Sequence, residues 1–272
     1  MKTTHLSSPK IRIEIWTLCF ALTLMTLPAA EAAFQPAKAE TETGEHAEWE
    51  YNGPNGPTWW GSLSTKYHLC RDGHRQSPVD LNTNLVFSAK GRPIKIAYQA
   101  TPIDEFFNGH TIQENVHNHS VVEYDGREYE LIQFHFHSGS EHTLNGRRLD
   151  LELHLVHRAK DGKMLVIGVL FVAGEKHEQL DPVLNHVEVK IGKQVVNKDV
   201  KIDVKQLIPH GAPLFSYDGS LTTPPATEDI RWFVYEKPMQ LSPKQLQSFR
   251  MYCRDNNRPV QPLRGRMLLR YE

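Results

Sequence analysis

Leu131 to Thr143 read LIQFHFHSGSEHT, three histidines, a glutamine and a glutamate within thirteen positions. In a β-strand alternate residues share a face, so Gln133, His135 and His137 point one way while Phe134 and Phe136 point the other. LDLELHLVH, residues 149–157, repeats the pattern: Leu151, Leu153 and Leu155 line one face, Glu152, His154 and Val156 the opposite one. If the two strands are neighbours, His154 completes a three-imidazole face with His135 and His137. Three neutral nitrogens leave a divalent cation its full charge and one tetrahedral position free, which is the pattern of a catalytic zinc site. Metal-bound imidazoles usually give their second N–H to a carboxylate, amide or carbonyl. Gln133 and Glu152 stand two residues before His135 and His154, each on its histidine's own face. A lone His-x-His is more often a hydrogen-bonded pair, so the third histidine on a separate strand carries the metal reading.

The rest of the chain sets the frame. Its 272 residues, 39% apolar and 23% charged, have the usage of a soluble globular protein. A net charge of -1 gives no electrostatic footprint for nucleic acid or an anionic membrane surface, leaving a small molecule as the expected partner. At the start, Lys2, Lys10 and Arg12 precede the apolar run Ile15 to Leu27, then Pro28 and Ala30-Glu31-Ala32. That order is a secretory signal peptide over residues 1–32, with a run too short to span a bilayer; a periplasmic or secreted mature protein without a membrane span is expected. Residues 33–48 are polar and acidic, a flexible lead-in. Removing the leader takes Cys19 and leaves Cys70 and Cys253, paired or free.

From Trp49 onward no linker divides the chain, and one domain over 49–272 is expected. Strand-like runs fall at Ile94–Tyr98, Val121–Tyr124, Tyr129–His137, Leu151–His157, Leu165–Val172, Val187–Ile191 and Ile230–Tyr235, many separated by Asp-Gly or Asn-Gly turns. The fold class is α+β, mostly β: a large, largely antiparallel twisted sheet with a few short peripheral helices. The clearest helix opens at Ser242-Pro243-Lys244-Gln245, with serine as cap and proline at N1, and runs to about Cys253. In YDGSLTTPPATEDIRWFV, from Tyr217, two threonines before Pro224-Pro225 form a rigid turn that can fix hydroxyl positions.

QFHFHSGSEHT, ELHLVH, GSLTTPP, QSPVD, FNGH and NNRPVQPLRGR occur in the order and at the distances that resemble the α-class carbonic anhydrases, from Trp49 to near the C-terminus. The resemblance implies a zinc enzyme that reversibly hydrates carbon dioxide to bicarbonate and a proton through zinc-bound hydroxide. It implies zinc on His135, His137 and His154, supported by Gln133 and Glu152. Thr222 is similar to the residue that orients the hydroxide and bonds to Glu141, with Thr223 beside it. Val156, Val166, Leu221 and Trp232 resemble the carbon dioxide pocket, and His110 the proton shuttle, with Tyr51, Asn108 and Gln113 ordering waters. His142 is implied to bond within the core near Glu152, and cis prolines are implied at Pro78 and Pro225.

Two positions depart from the pattern. Ser138 stands where many relatives carry tryptophan, which puts the packing behind the ligands in question. Ala226 stands where secreted relatives pair a cysteine with the counterpart of Cys70, so that disulfide cannot form and Cys70 is read as free. Two other readings stay open at this stage. His135-x-His137-x-x-x-Glu141 also satisfies the first metal motif of cupin oxygenases, with Glu141 as ligand to a redox metal, although the second cupin motif is absent downstream. A carbonic-anhydrase-like binding module without catalysis would typically lack one of the histidines. Monomer and homodimer are both open.

Overall fold

The computed structural model of the chain describes residues 48–188 and 190–272. The leader and most of the lead-in therefore lie outside the described residues. Among these, thirteen strands form one sheet, built outward from the two histidine strands because their alternation leaves apolar side chains to bury on both sides. The main path runs Gln194–Ile202, Thr101–Phe107, Ile112–Asn115, Arg127–Ser138, Leu151–Arg158, Met164–Ala173, Glu228–Tyr235, Leu214–Ser220, Leu269–Tyr271 and Phe87–Ala89. Ile94–Ala97 pairs with Val121–Tyr124, which pairs with Arg127–Ser138, and Met239–Leu241 pairs with Met164–Ala173.

Most pairs are antiparallel, as expected, yet the sheet is mixed. Met164–Ala173 runs parallel to both Glu228–Tyr235 and Met239–Leu241, and Leu269–Tyr271 parallel to Phe87–Ala89. A small second sheet joins Asp80–Leu81, Thr143–Leu144 and Arg147–Arg148.

The face opposite the histidines is a continuous core of Phe134, Phe136, Leu151, Leu153, Leu155 and Ile167, closed by Leu246 and Phe249 from the Pro243–Tyr252 helix. Phe136 and Phe249 meet at 4.6 Å between ring centroids. Burying a phenylalanine in this way stabilises by about 1.5–3 kcal/mol, which fixes the strand and with it the direction in which its histidines point. The helix begins as its sequence predicts: Ser242 Oγ accepts from Gln245 N–H, and Gln245 Oε1 accepts from Ser242 N–H. Ser242→Ala is expected to cost about 1 kcal/mol, seen as a lower urea midpoint at unchanged slope.

The expected strand at Val187–Ile191 is not formed. The chain turns there, with Lys193 N–H donating to Lys190 O and Gly192 at φ 79°, and strand pairing starts only at Gln194. β-branched composition suggested a strand, and the turn overrides it. The strands Thr101–Phe107 and Ile112–Asn115 escaped sequence reading because Asp104, Glu105, Gln113, Glu114 and Asn115 break the apolar alternation.

Candidate metal centre and active site

The two histidine strands are antiparallel neighbours, with His154 opposite His135 and Glu152 opposite His137. One ring nitrogen from each of His135, His137 and His154 falls within 4.8 Å of the others. Hydrogen bonds fix which nitrogens these are. His135 Nδ1 donates to Gln133 Oε1 at 2.8 Å, His137 Nδ1 to the Asn256 carbonyl at 2.6 Å, and His154 Nε2 to Glu152 Oε1 at 2.9 Å. Each bond uses up the N–H of a neutral imidazole, leaving His135 Nε2, His137 Nε2 and His154 Nδ1 with lone pairs. Burial holds His135 well below the ordinary imidazole value and lowers His137 as well, with the neighbouring rings adding to it.

His137 Nε2 and Glu141 Oε2 are buried and have no hydrogen-bond partner among the described residues. Three convergent lone pairs beside an unpartnered carboxylate oxygen form a donor set that fits a divalent cation. A second cluster of His142, Glu152 and His154 does not read the same way. There Glu152 Oε1 accepts from both His142 Nδ1, at 2.7 Å, and His154 Nε2, so protons already occupy the contacts.

Glu152 is fully buried. Burial works against its charge, but His142 and His154 outweigh it and hold the carboxyl well below its ordinary range. His142 Nε2 continues the chain to Tyr217 Oη at 2.7 Å, and Tyr217 Oη to Ser77 Oγ at 2.9 Å. Gly168 lies opposite His154 because a Cβ there would sit 3.0 Å from Glu152 Oε1. Glu152→Gln removes the charged acceptor and is expected to weaken binding of a divalent cation at the three imidazoles by about 10–100-fold, read by competition with a chelator.

Val156, Val166 and Trp232 stand side by side across three adjacent strands, and Leu221 packs against the same cluster. Val156 shares the face of His154, whose ring lies 4.9 Å from Trp232. The result is an apolar wall beside the imidazoles. Thr222 is buried and Thr223 half-buried in the turn of the cis Pro224-Pro225 bond; Ser77-Pro78 is also cis, and both match expectation.

The implied Thr222–Glu141 hydrogen bond is not formed. Glu141 Oε1 accepts from Arg258 N–H at 2.8 Å, while Oε2 turns towards His137 Nε2 at 3.5 Å and His154 Nδ1 at 4.0 Å. The main-chain N–H of Arg258 takes one oxygen, and the other faces imidazole lone pairs, a repulsion that a cation among them would relieve.

His110 occupies the turn between Thr101–Phe107 and Ile112–Asn115. Its ring stacks on Trp49 at 4.2 Å, meets Tyr51 edge-on at 5.8 Å and approaches Glu50 Oε2 at 3.8 Å. Burial lowers its pKa, and Glu50 partly offsets this. Asn108 Oδ1 is taken by His110 N–H and Thr111 N–H, leaving its amide nitrogen for solvent. Gln113 lies opposite His135 and donates to Asn115. Tyr51 is raised well above the ordinary phenol value by burial and by Glu141.

Sequence reading missed Asn256 and Arg258. Asn256 bonds His137 through its carbonyl and accepts from Ser138 N–H through its side-chain Oδ1, so this position is held through the main chain of Ser138 rather than by packing of a large side chain there. The Arg258 guanidinium, 1% exposed, donates to Gln76 Oε1 and the carbonyls of Ser77 and Cys70. Both missed residues sit in the NNRPVQPLRGR motif. Cys70 and Cys253 are free.

The chain belongs to the eukaryotic-type carbonic anhydrase family, whose model matches residues 55–272. It is 38% identical to a carbonic anhydrase of Nostoc sp. over 86% of this chain and 88% of that one. Identity to a carbonic anhydrase of Neisseria gonorrhoeae is 36%, over 92% and 98%. The α-carbonic anhydrase of Thermovibrio ammonificans, solved in complex with the inhibitor sulfanilamide, superposes with a TM-score of 0.79 at 39% identity, over 82% of this chain and 99% of that one. This chain is thus a carbonic anhydrase rather than a cupin.

Proposed function

We propose that the chain hydrates carbon dioxide reversibly to bicarbonate and a proton, with zinc held by His135, His137 and His154. The observation that carries the reading is the set of three imidazoles whose outer N–H groups are all committed to oxygens, so that their lone pairs converge beside an apolar wall. Bound zinc supplies the Lewis acidity that brings a water's pKa to about 7, behaviour for which carbonic anhydrase is the standard example.

The residues divide the remaining work. Val156, Val166, Leu221 and Trp232 hold an uncharged, apolar substrate with little binding energy. Thr222, fixed by its proline turn with Thr223 beside it, orients the reacting water, and Glu141 places a carboxyl oxygen beside the imidazoles. His110 takes up the proton and releases it to solvent, along waters ordered by Tyr51, Asn108 and Gln113. The leader reading supports a periplasmic or secreted enzyme, and no helix of the described residues is long and apolar enough to cross a membrane.

Metal analysis joined to stopped-flow hydration with a pH indicator tests the proposal. One zinc per chain and fast, sulfonamide-sensitive hydration are expected; zinc-loaded protein without hydration activity would refute it.

A further inference from the structure

Glu105 and Glu114 lie directly opposite one another on the antiparallel strands Thr101–Phe107 and Ile112–Asn115, and are 2% and 0% exposed. Like charges in such a cross-strand pair are destabilising, the more so away from water. Glu114 Oε2 accepts from Asp104 N–H at 3.1 Å, but Glu105 Oε2 and Glu114 Oε1 find no donor among the described residues. The two carboxyls lie within hydrogen-bonding reach of each other. Two carboxyl groups satisfy one another only when one of them carries a proton.

The surroundings offer no ready counter-ion. Asp104 adds negative charge beside Glu114, although His117 Nε2 engages it at 2.5 Å and the Gln194 amide also bonds it. The strand Gln194–Ile202 sets Val195 opposite Glu105, and its charges Lys198, Asp199 and Lys201 are exposed. Arg127–Ser138 sets Phe134 opposite Glu114. At the end of the Pro243–Tyr252 helix, Cys253 is buried with its thiol pushed up to about 11. The Leu180–Leu184 helix brings Asp181, already paired with Lys176.

We propose that Glu105 and Glu114 share one proton and so clasp the hairpin that presents His110, acting as positioning residues for proton transfer, and that ionisation of the pair unclasps it. This rests on His110 being the proton shuttle. Burial raises both carboxyls, and the charge of Glu105 raises Glu114 further. A carboxyl raised on folding contributes stability that is fully present below its unfolded value near 4.5 and is lost as pH climbs through its folded value. The clasp therefore fails on the alkaline side.

The test uses the zinc-loaded full chain, with amide hydrogen exchange of residues 101–115 corrected for intrinsic rate and infrared detection of a carboxylic acid carbonyl band. At about pH 6 the wild type shows the acid band, and the opening of this hairpin grows by up to about tenfold per pH unit from the open-state carboxyl value near 4.5 upward, levelling off once the closed pair has ionised. Glu114→Gln, whose amide donates to Glu105 at every pH, loses that dependence, and its ratio of weak-buffer turnover at about pH 9 to that at about pH 6 rises. Glu105→Gln does the same with donor and acceptor exchanged, and serves if the first variant folds poorly. Absence of the acid band, or one pH dependence common to wild type and both variants, overturns the proposal. If His110→Ala leaves turnover unchanged, the shuttle reading fails, while the exchange and infrared results still judge the clasp.

Discussion

His154→Ala is expected to yield a folded protein without stoichiometric zinc, its kcat/KM for hydration lower by at least about 10⁴-fold, out of the 10⁶ or more by which enzymes accelerate their reactions. His154 is the member of the trio that comes from the second strand, so its loss leaves two imidazoles two residues apart on one strand. Two neutral ligands cannot close a tetrahedral site. The fold should survive. Glu152 keeps His142 as a partner through both the ring and the backbone N–H, so the buried carboxylate is not left bare. The apolar faces of both strands are untouched. Far-ultraviolet circular dichroism should therefore match the wild type while atomic absorption reads close to zero. A variant that kept zinc would move the site to His142 and Glu152 and refute the assignment.

What could be read in the sequence follows from what each residue does alone. Period-two alternation exposes both faces of the histidine strands, and Gln133 and Glu152 fall on their partners' faces by the same rule. The third acceptor could not be found that way: His137 is held by the main-chain carbonyl of Asn256, 119 positions away, and a carbonyl leaves no mark on residue type. Gly168 and Arg258 are dictated by close approach and by burial of a cation, both tertiary facts. His157 obeys the period-two rule: alternation puts it with Leu155 on the apolar face, and it is buried, bonded to Tyr98 Oη at 2.8 Å and to the Leu165 carbonyl, and pushed down to about 3 by burial. Asp104, Glu105 and Glu114 hid two strands because carboxylates are poor strand formers when read singly.

His110→Ala should separate proton transfer from hydration. Turnover at saturating carbon dioxide in weak buffer is expected to fall by about 10²-fold, the usual lower range for losing a proton-transfer group, with zinc content unchanged. kcat/KM for hydration should hardly move, because it reports steps up to the reaction itself and not the later export of a proton. Added imidazole should restore much of the turnover; failure to do so would discredit the assignment. The surroundings of the ring add a pH signature. Burial against Trp49 keeps His110 below its ordinary value, so it stays a neutral acceptor further into acid than a free imidazole does. Trp49→Ala exposes the ring, lets its pKa rise towards 6.5, and should shift the acid limb of weak-buffer turnover upward in pH while leaving kcat/KM in place.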